Sequence, residues 1–211
     1  AVNCTLSAAL CRAAPEGLFP DPFSGMLTAL LFLTSFYGLS MISYRLFLKK
    51  FPLCRGPISP GTAQETVYHI YILFHLILFY PITLSGLLPV PLVRLWYQCL
   101  GAALGENTYS SGTILDPHFV TIGSNTIVGL GSKIIPHVME GQYLAHHPIK
   151  IGNNVTIGAG AIILSNVTIH DNAVVGAGAV VPKNTVIGAG EKWAGVPARK
   201  LTKSTIVCDR I

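Results

Sequence analysis

Three of the seven histidines, His137, His146 and His147, fall in the stretch IIPHVMEGQYLAHHPIKI, together with one carboxylate, Glu140. An imidazole titrates near neutrality, so one of these could act as a general base, taking a proton from a hydroxyl or amine while that atom attacks a thioester. The same side chains could instead hold a metal ion, or lie at the surface without a chemical role. Glu140, three residues from His137, could orient that ring or stabilise its protonated form; otherwise it is a solvated loop acid. His146 and His147, just before Pro148, are the other two candidates. Asp116, in ILDP, is also simply a good turn former, being an aspartate before proline. His118 and His170 are expected at corners or on the surface, and His69 and His75 in apolar segments. Nothing nearby has the look of a required nucleophile.

The elements that must carry these residues follow from a repeat. Ile151, Ile157, Ile163, Ile169, Val175, Val181 and Ile187 recur at every sixth position. Six does not fit a helical period of 3.6 but is a multiple of the two-residue alternation of strands. Val155, Ala161, Val167, Ala173, Ala179 and Thr185, four positions on, would share the inward face. Gly152, Gly158, Gly176 and Gly188 suit corners that need unusual dihedral angles. The simplest packed object with this pattern is a β-solenoid of three six-residue strands per coil, with coils about 4.8 Å apart. Earlier hexads, Ile122, Val128 and Ile134, are less regular. From Ile134 to Ile151 the register slips by one residue, inside the histidine-bearing stretch, and a break in a strict repeat often marks a functional site.

Hydrophobic residues make up 51% of the chain and charged ones only 11%, low for a domain surrounded by water alone. Residues 26–47 carry only Arg45 as a charge and are long enough to span a bilayer; residues 67–93 carry no Lys, Arg, Asp or Glu. The first run is expected to remain in the mature protein, and a chain beginning at Ala1 is expected to be a processed form or a piece of a longer polypeptide. Lys49, Lys50 and Arg55 place the following loop on the cytoplasmic side. Pro81, Pro89 and Pro91 are expected to break the second run into residues 67–80 and a stretch near 83–103, a re-entrant or interfacial hairpin returning the chain to the cytoplasmic side. The net charge of +5 then reflects topology and contact with membrane lipid, with no nucleic-acid partner. Cysteines 4, 11, 54, 99 and 208 lack metal-ligand spacing and read as ordinary thiols.

The expected organisation is therefore a membrane-associated helical region over 1–103, a β-solenoid over 104–195, and a tail over 196–211 whose Trp193-to-Pro197 approach would cover the open end of the solenoid. ILDPHFVTIGSNTIVG, the 151–187 repeats and WAGVPARKL resemble the acetyltransferase branch of the hexapeptide-repeat family, which includes maltose, galactoside, xenobiotic and capsule-type O-acetyltransferases. The resemblance implies a mainly β protein: a left-handed parallel β-helix of about five coils. It implies acetyl-coenzyme A (acetyl-CoA) as acyl donor and a homotrimer with the active site between neighbours. It also implies His137 as base, with His147 second, and an acceptor-positioning role for Asp116, beside His146. Gly158, Ala159, Gly176 and Ala177 would let the pantetheine arm lie close, and Lys183, Arg199 and Lys200 would meet the nucleotide portion. No metal is expected: the related γ-carbonic anhydrases take two zinc ligands from one chain five residues apart, a spacing absent from the solenoid histidines. The expected activity is O-acetyl transfer to a glycan or lipid-linked acceptor. The alternatives are a tethered tailoring domain of a larger synthetase, a non-catalytic trimeric scaffold, and a zinc enzyme.

Overall fold

A computed structural model describes residues 2–12, 24–141 and 143–202. Cys208 and the rest of the tail beyond 202 lie outside the described residues. The chain divides into two compact units, Ala1–Leu53 with Thr66–Pro81, and Cys54–Glu65 with Ile82–Ile211.

In the first unit α1 (Val2–Arg12) packs on α2 (Ser24–Lys50), where Asn3 donates to Ser40 Oγ at 3.3 Å. On α2 only a narrow stripe is buried, Ser40, Tyr44 and Leu48, each one turn after the last. Tyr44 meets the rings of Tyr71, Phe74 and Phe79, while Leu30, Leu33, Ile42 and Leu46 stay half exposed or more. A helix with so broad an exposed apolar face is poorly matched to water.

The second apolar run does not break at Pro81. Helix α3 (Ala63–Leu73) continues through a π-helical stretch, Phe74–Phe79, into α4 (Tyr80–Leu84). Pro81 lacks an amide hydrogen and crowds the preceding turn. Widening that turn, with Tyr80 N–H reaching back to His75 O, accommodates it without a kinked end. Both α2 and the Ala63–Leu84 helix are long and apolar enough to cross a membrane. The helix stops at Ser85 and Gly86, where φ is +67°.

The second unit begins its main run with α5 (Val90–Leu100). Within residues 83–103, expected as the second leg of an apolar hairpin, α5 caps the first coil of the solenoid. Tyr97 Oη donates to Gly112 O at 3.1 Å and accepts from Ile114 N–H, Arg94 donates to Gly105 O at 2.9 Å, and Gln98 donates to Leu104 O. These bonds satisfy carbonyls and an amide at the solenoid's open end, which is why the expected boundary at 103 falls too late.

Strand β1 (Gly56–Ile58) also belongs to this unit. The coils follow in order. The first contains β2 (Ala103–Leu104), β3 (Tyr109–Ser110) and β4 (Thr113–Ile114), and the second β5 (Val120–Ile122), β6 (Ile127–Val128) and β7 (Lys133–Ile134). A hairpin, β8 (His137–Glu140) and β9 (Tyr143–His146), then leaves the coil. The third coil is β10 (Ile149–Ile151), β11 (Thr156–Ile157) and β12 (Ile162–Ile163). The fourth is β13 (Thr168–Ile169), β14 (Val174–Val175) and β15 (Val180–Val181). A fifth, partial coil has β16 (Val186–Ile187) and β17 (Lys192–Ala194), and β18 (Arg199–Lys200) folds back antiparallel on β17. Every coil-to-coil pairing is parallel, giving three sheets on three sides.

The sixth-position residues stack in register. Ile122, Ile151, Ile169 and Ile187 line one side, Val128, Ile157 and Val175 the next, and Ile114, Ile134, Ile163 and Val181 the third, none more than 3% exposed. Each such burial contributes about 1.5–3 kcal/mol, and no coil achieves it without its neighbours.

The corners differ from expectation in one respect. Left-handed backbone falls on Asn107, Asn125, Asn154, Asn172 and Gly190 at one corner, on Gly131, Gly160 and Gly178 at the next and on Asn166 and Asn184 at the third, not on Gly152, Gly158, Gly176 or Gly188. The latter glycines are needed for close approach: a Cβ on Gly158 would lie 2.4 Å from Ala177 N.

The one-residue slip is a larger event. Ile122 pairs with Ile151, 29 positions on, whereas Ile151 pairs with Ile169 at the regular 18, and the surplus of eleven residues is the β8–β9 hairpin. Strand β9 pairs on its other side with β1, so a three-stranded antiparallel sheet hangs from the coil edge.

Candidate active site

Two excursions from the same corner of the β-helix build the site. After β4, the third strand of the first coil, Asp116 adopts left-handed φ of +44° and starts the 3-10 turn Pro117–Phe119. After β7, the third strand of the second coil, the hairpin departs with His137 at its start. One coil step, about 4.8 Å, therefore separates residues that are 21 apart in sequence. His137 Nδ1 and Asp116 Oδ2 lie 2.5 Å apart, with the carboxylate 6% exposed and the imidazole 28% exposed. The hydrogen bond to Asp116 raises the imidazole above its ordinary pKa of 6.5; burial works against it and the carboxylate charge adds to it. With Nδ1 engaged, Nε2 is the nitrogen left to exchange a proton.

The carboxylate that bonds the His137 ring is Asp116 and not Glu140. Residues three apart on an extended strand project to opposite faces, and Glu140 pairs with Lys183. Asp116, expected to position an acceptor, is 4% exposed and bonded to the imidazole. His146, expected beside the acceptor, is fully buried, and its ring stacks on Phe119 at 4.6 Å and 15°. Burial lowers its pKa, with Asp116 opposing that shift and His137 and His147 adding to it. His147 follows β9 and its amide donates to Pro136 O at 3.0 Å, closing the hairpin base. His118 packs against Gly101.

Beside His137 is a cavity of about 150 Å³ lined by Val138, Met139, Glu140, Leu164, Ser165 and Lys183. Leu164 and Ser165 were not anticipated. They follow β12 at this same corner, and counting onward from Ile134 through the paired Ile163 would have found them.

The expected cofactor residues divide between edges. Gly158 and Gly176 follow β11 and β14 at the second corner, stacked beneath Gly129, with Ala159 and Ala177 exposed beside them. Lys183 follows β15 at the third corner. Arg199 and Lys200 lie on the terminal strand, where Lys200 Nζ is 2.5 Å from Glu191 Oε1. Glu191 also accepts from Trp193 Nε1 and Gly188 N–H, and these bonds, that from Lys200 foremost, hold its carboxyl down at about 2. The fold-back is a terminal cap: Ala198 N–H donates to Val180 O, and Gly195 O accepts from Val180. Among the described residues no three His, Cys, Asp or Glu side chains converge as a metal site.

Such a coil is a parallel β-helix with a six-residue repeat, and it carries an imidazole–carboxylate pair at one corner. Residues 148–183 match the family described as bacterial transferase hexapeptide (six repeats). Among solved structures, a galactoside acetyltransferase in complex with coenzyme A is 26% identical, with 70% of this chain and 86% of that one covered and a TM-score of 0.52. A maltose O-acetyltransferase from Clostridium difficile 630 is 32% identical over 50% of this chain and 60% of that one, with a TM-score of 0.45. Among curated proteins, a delta-poly-L-ornithine synthetase from Acinetobacter baumannii is 29% identical over 117 residues, 55% of this chain but 9% of the synthetase.

Proposed function

We propose that the chain is a membrane-anchored acyltransferase that moves an acetyl group from acetyl-CoA to a hydroxyl or amine, with His137 as general base. The His137–Asp116 pair carries this reading. In the proposed step, Nε2 removes the acceptor's proton as the acceptor atom attacks the thioester carbonyl carbon. The carbon–sulfur bond then breaks, and the imidazolium returns the proton to the departing thiolate. Asp116 stabilises the imidazolium while it exists. A backbone amide would stabilise the oxyanion.

Likeness to a galactoside acetyltransferase with bound coenzyme A supports the donor. A hydroxyl of a glycan or lipid-linked molecule is the favoured acceptor; likeness to part of a poly-ornithine synthetase keeps an amine beside it. The Gly158 and Gly176 column and His137 occupy different edges of the β-helix. A groove shared by neighbouring copies in a homotrimer would bring such edges together, which supports that assembly.

Arg55 and β1 belong to the same compact unit as the β-helix, through the β1–β9 pairing. The basic loop and the β-helix then share one side of any bilayer, the cytoplasmic one by the positive-inside rule. On this reading the chain before and after the Ala63–Leu84 helix lies on that same side.

Thiol release from acetyl-CoA by the purified full chain, with a panel of sugar and amine acceptors, tests the reading. His137→Ala is expected to lose about 10²–10⁴-fold in rate while remaining folded. Full activity in that variant would remove His137 as base, and failure of the wild type to bind coenzyme A would favour a non-catalytic scaffold.

A further inference from the structure

His146 is a buried titratable side chain that the proposed proton transfer does not use. Its ring is stacked face to face on Phe119, 4.6 Å between centroids. Phe119 closes the turn that Asp116 begins, its N–H donating to Asp116 O at 2.9 Å. At its other attachment His146 stands directly opposite His137 in the β8–β9 register. The two rings therefore join two separately inserted pieces of chain, the turn bearing the carboxylate and the hairpin bearing the imidazole.

We propose that His146 is a positioning residue: stacked on Phe119, it holds the Asp116 turn and the β8–β9 hairpin at the separation where Asp116 and His137 meet. For its effect on turnover the inference rests on His137 being the base; for its effect on the geometry of the pair it does not. Neither element is part of the regular ladder, so coil stacking alone leaves their spacing loosely set. An aromatic pair contributes about 0.5–1.5 kcal/mol beyond its burial and prefers a definite offset, which makes it a suitable clamp. The clamp adds no charge where His137 works, because burial keeps His146 neutral. The titratable groups facing it are Asp116 from the turn, His137 from β8 and its neighbour His147. Strand β1, paired to β9 on the far side, has only Gly56, Pro57 and Ile58.

The test uses the full chain with three substitutions: His146→Ala, His146→Phe and Phe119→Leu. His146→Ala and Phe119→Leu are each expected to lower kcat about 10- to 100-fold with KM for acetyl-CoA unchanged, the scale of loss from a small misplacement of a reacting group. His146→Phe, which keeps a ring in place, is expected to retain most of the activity. The double variant His146→Ala with Phe119→Leu is expected to be no worse than the poorer single, since both remove one clamp. NMR titration of the His137 ring reads the pair without catalysis, and its midpoint is expected to fall in His146→Ala and Phe119→Leu but not in His146→Phe. Three results would overturn the proposal: a wild-type kcat and His137 titration in His146→Ala or Phe119→Leu, a defect in His146→Phe equal to that of His146→Ala, or additive losses in the double variant. If His146→Ala does not fold, the other two singles decide. If His137→Ala keeps its activity, the base assignment falls while the NMR titration still decides the clamp.

Discussion

Replacing Asp116 by Asn preserves the shape of the side chain and removes its charge, which makes it the sharpest perturbation of the pair. The contact is 2.5 Å long and the carboxylate is 6% exposed, so solvent screens it little. A hydrogen bond to a charged group in such a place contributes about 1.5–3 kcal/mol. If that is the stabilisation lent to the imidazolium as the acceptor loses its proton, kcat falls about 10- to 150-fold, a factor of ten for each 1.36 kcal/mol. The pH profile carries a signed expectation. In the wild type the pair raises His137 above 6.5, and the free base that catalyses is gained as pH rises through that raised value. In Asp116→Asn the raising causes are gone and burial remains, so the acid limb of kcat moves to lower pH and the deficit narrows in acid. The assay is acetyl-CoA turnover from pH 5 to 9 at saturating donor, with the fold checked by circular dichroism. A wild-type kcat with an unmoved acid limb would refute the reasoning.

Stability should follow the same linkage. The His137–Asp116 pair contributes fully below pH 6.5 and its contribution is lost as pH rises through the raised value, so the Tm gap between wild type and Asp116→Asn is expected to be larger in acid. His146, with its lowered pKa, costs stability as pH falls below 6.5, and His146→Phe is expected to lose less Tm than wild type between pH 7 and 5. Gly158→Ala drives a Cβ against the backbone of the next coil and is expected to destabilise by about 1–3 kcal/mol in chemical denaturation, as overpacking does. Lys183→Ala breaks an exposed pair with Glu140 and is expected to change stability by less than about 1 kcal/mol; a raised KM for acetyl-CoA would show that Lys183 meets the donor, and an unchanged KM that it does not. Cys54 and Cys99, both exposed, are expected to react with an impermeant maleimide from one side of sealed vesicles; labelling from opposite sides would refute the shared side.

The six-residue period determined most of the β-helix before any coordinate. Ile151 through Ile187 can be buried together only if strands stack in a three-sided coil, and the inward partners from Val155 to Ala179 follow from strand alternation. The broken repeat marks the stretch that carries His137, His146 and His147, and His137 stands out among them only through the family resemblance. Three features needed the tertiary structure. A six-residue count cannot tell an eleven-residue insertion from a one-residue deletion, since both leave the next strand in the same phase, so the β8–β9 hairpin was concealed. Pro81 signals a break locally, but a widened helical turn can absorb it, and α5 takes the place expected for a second membrane leg because the first coil offers it unsatisfied backbone groups. Asp116 reaches His137 through stacking: nothing in 21 residues of sequence separation measures how two corners one coil apart present their side chains. The period dictates which residues face inward, whereas the neighbours of an outward excursion depend on which corner of the closed coil it leaves.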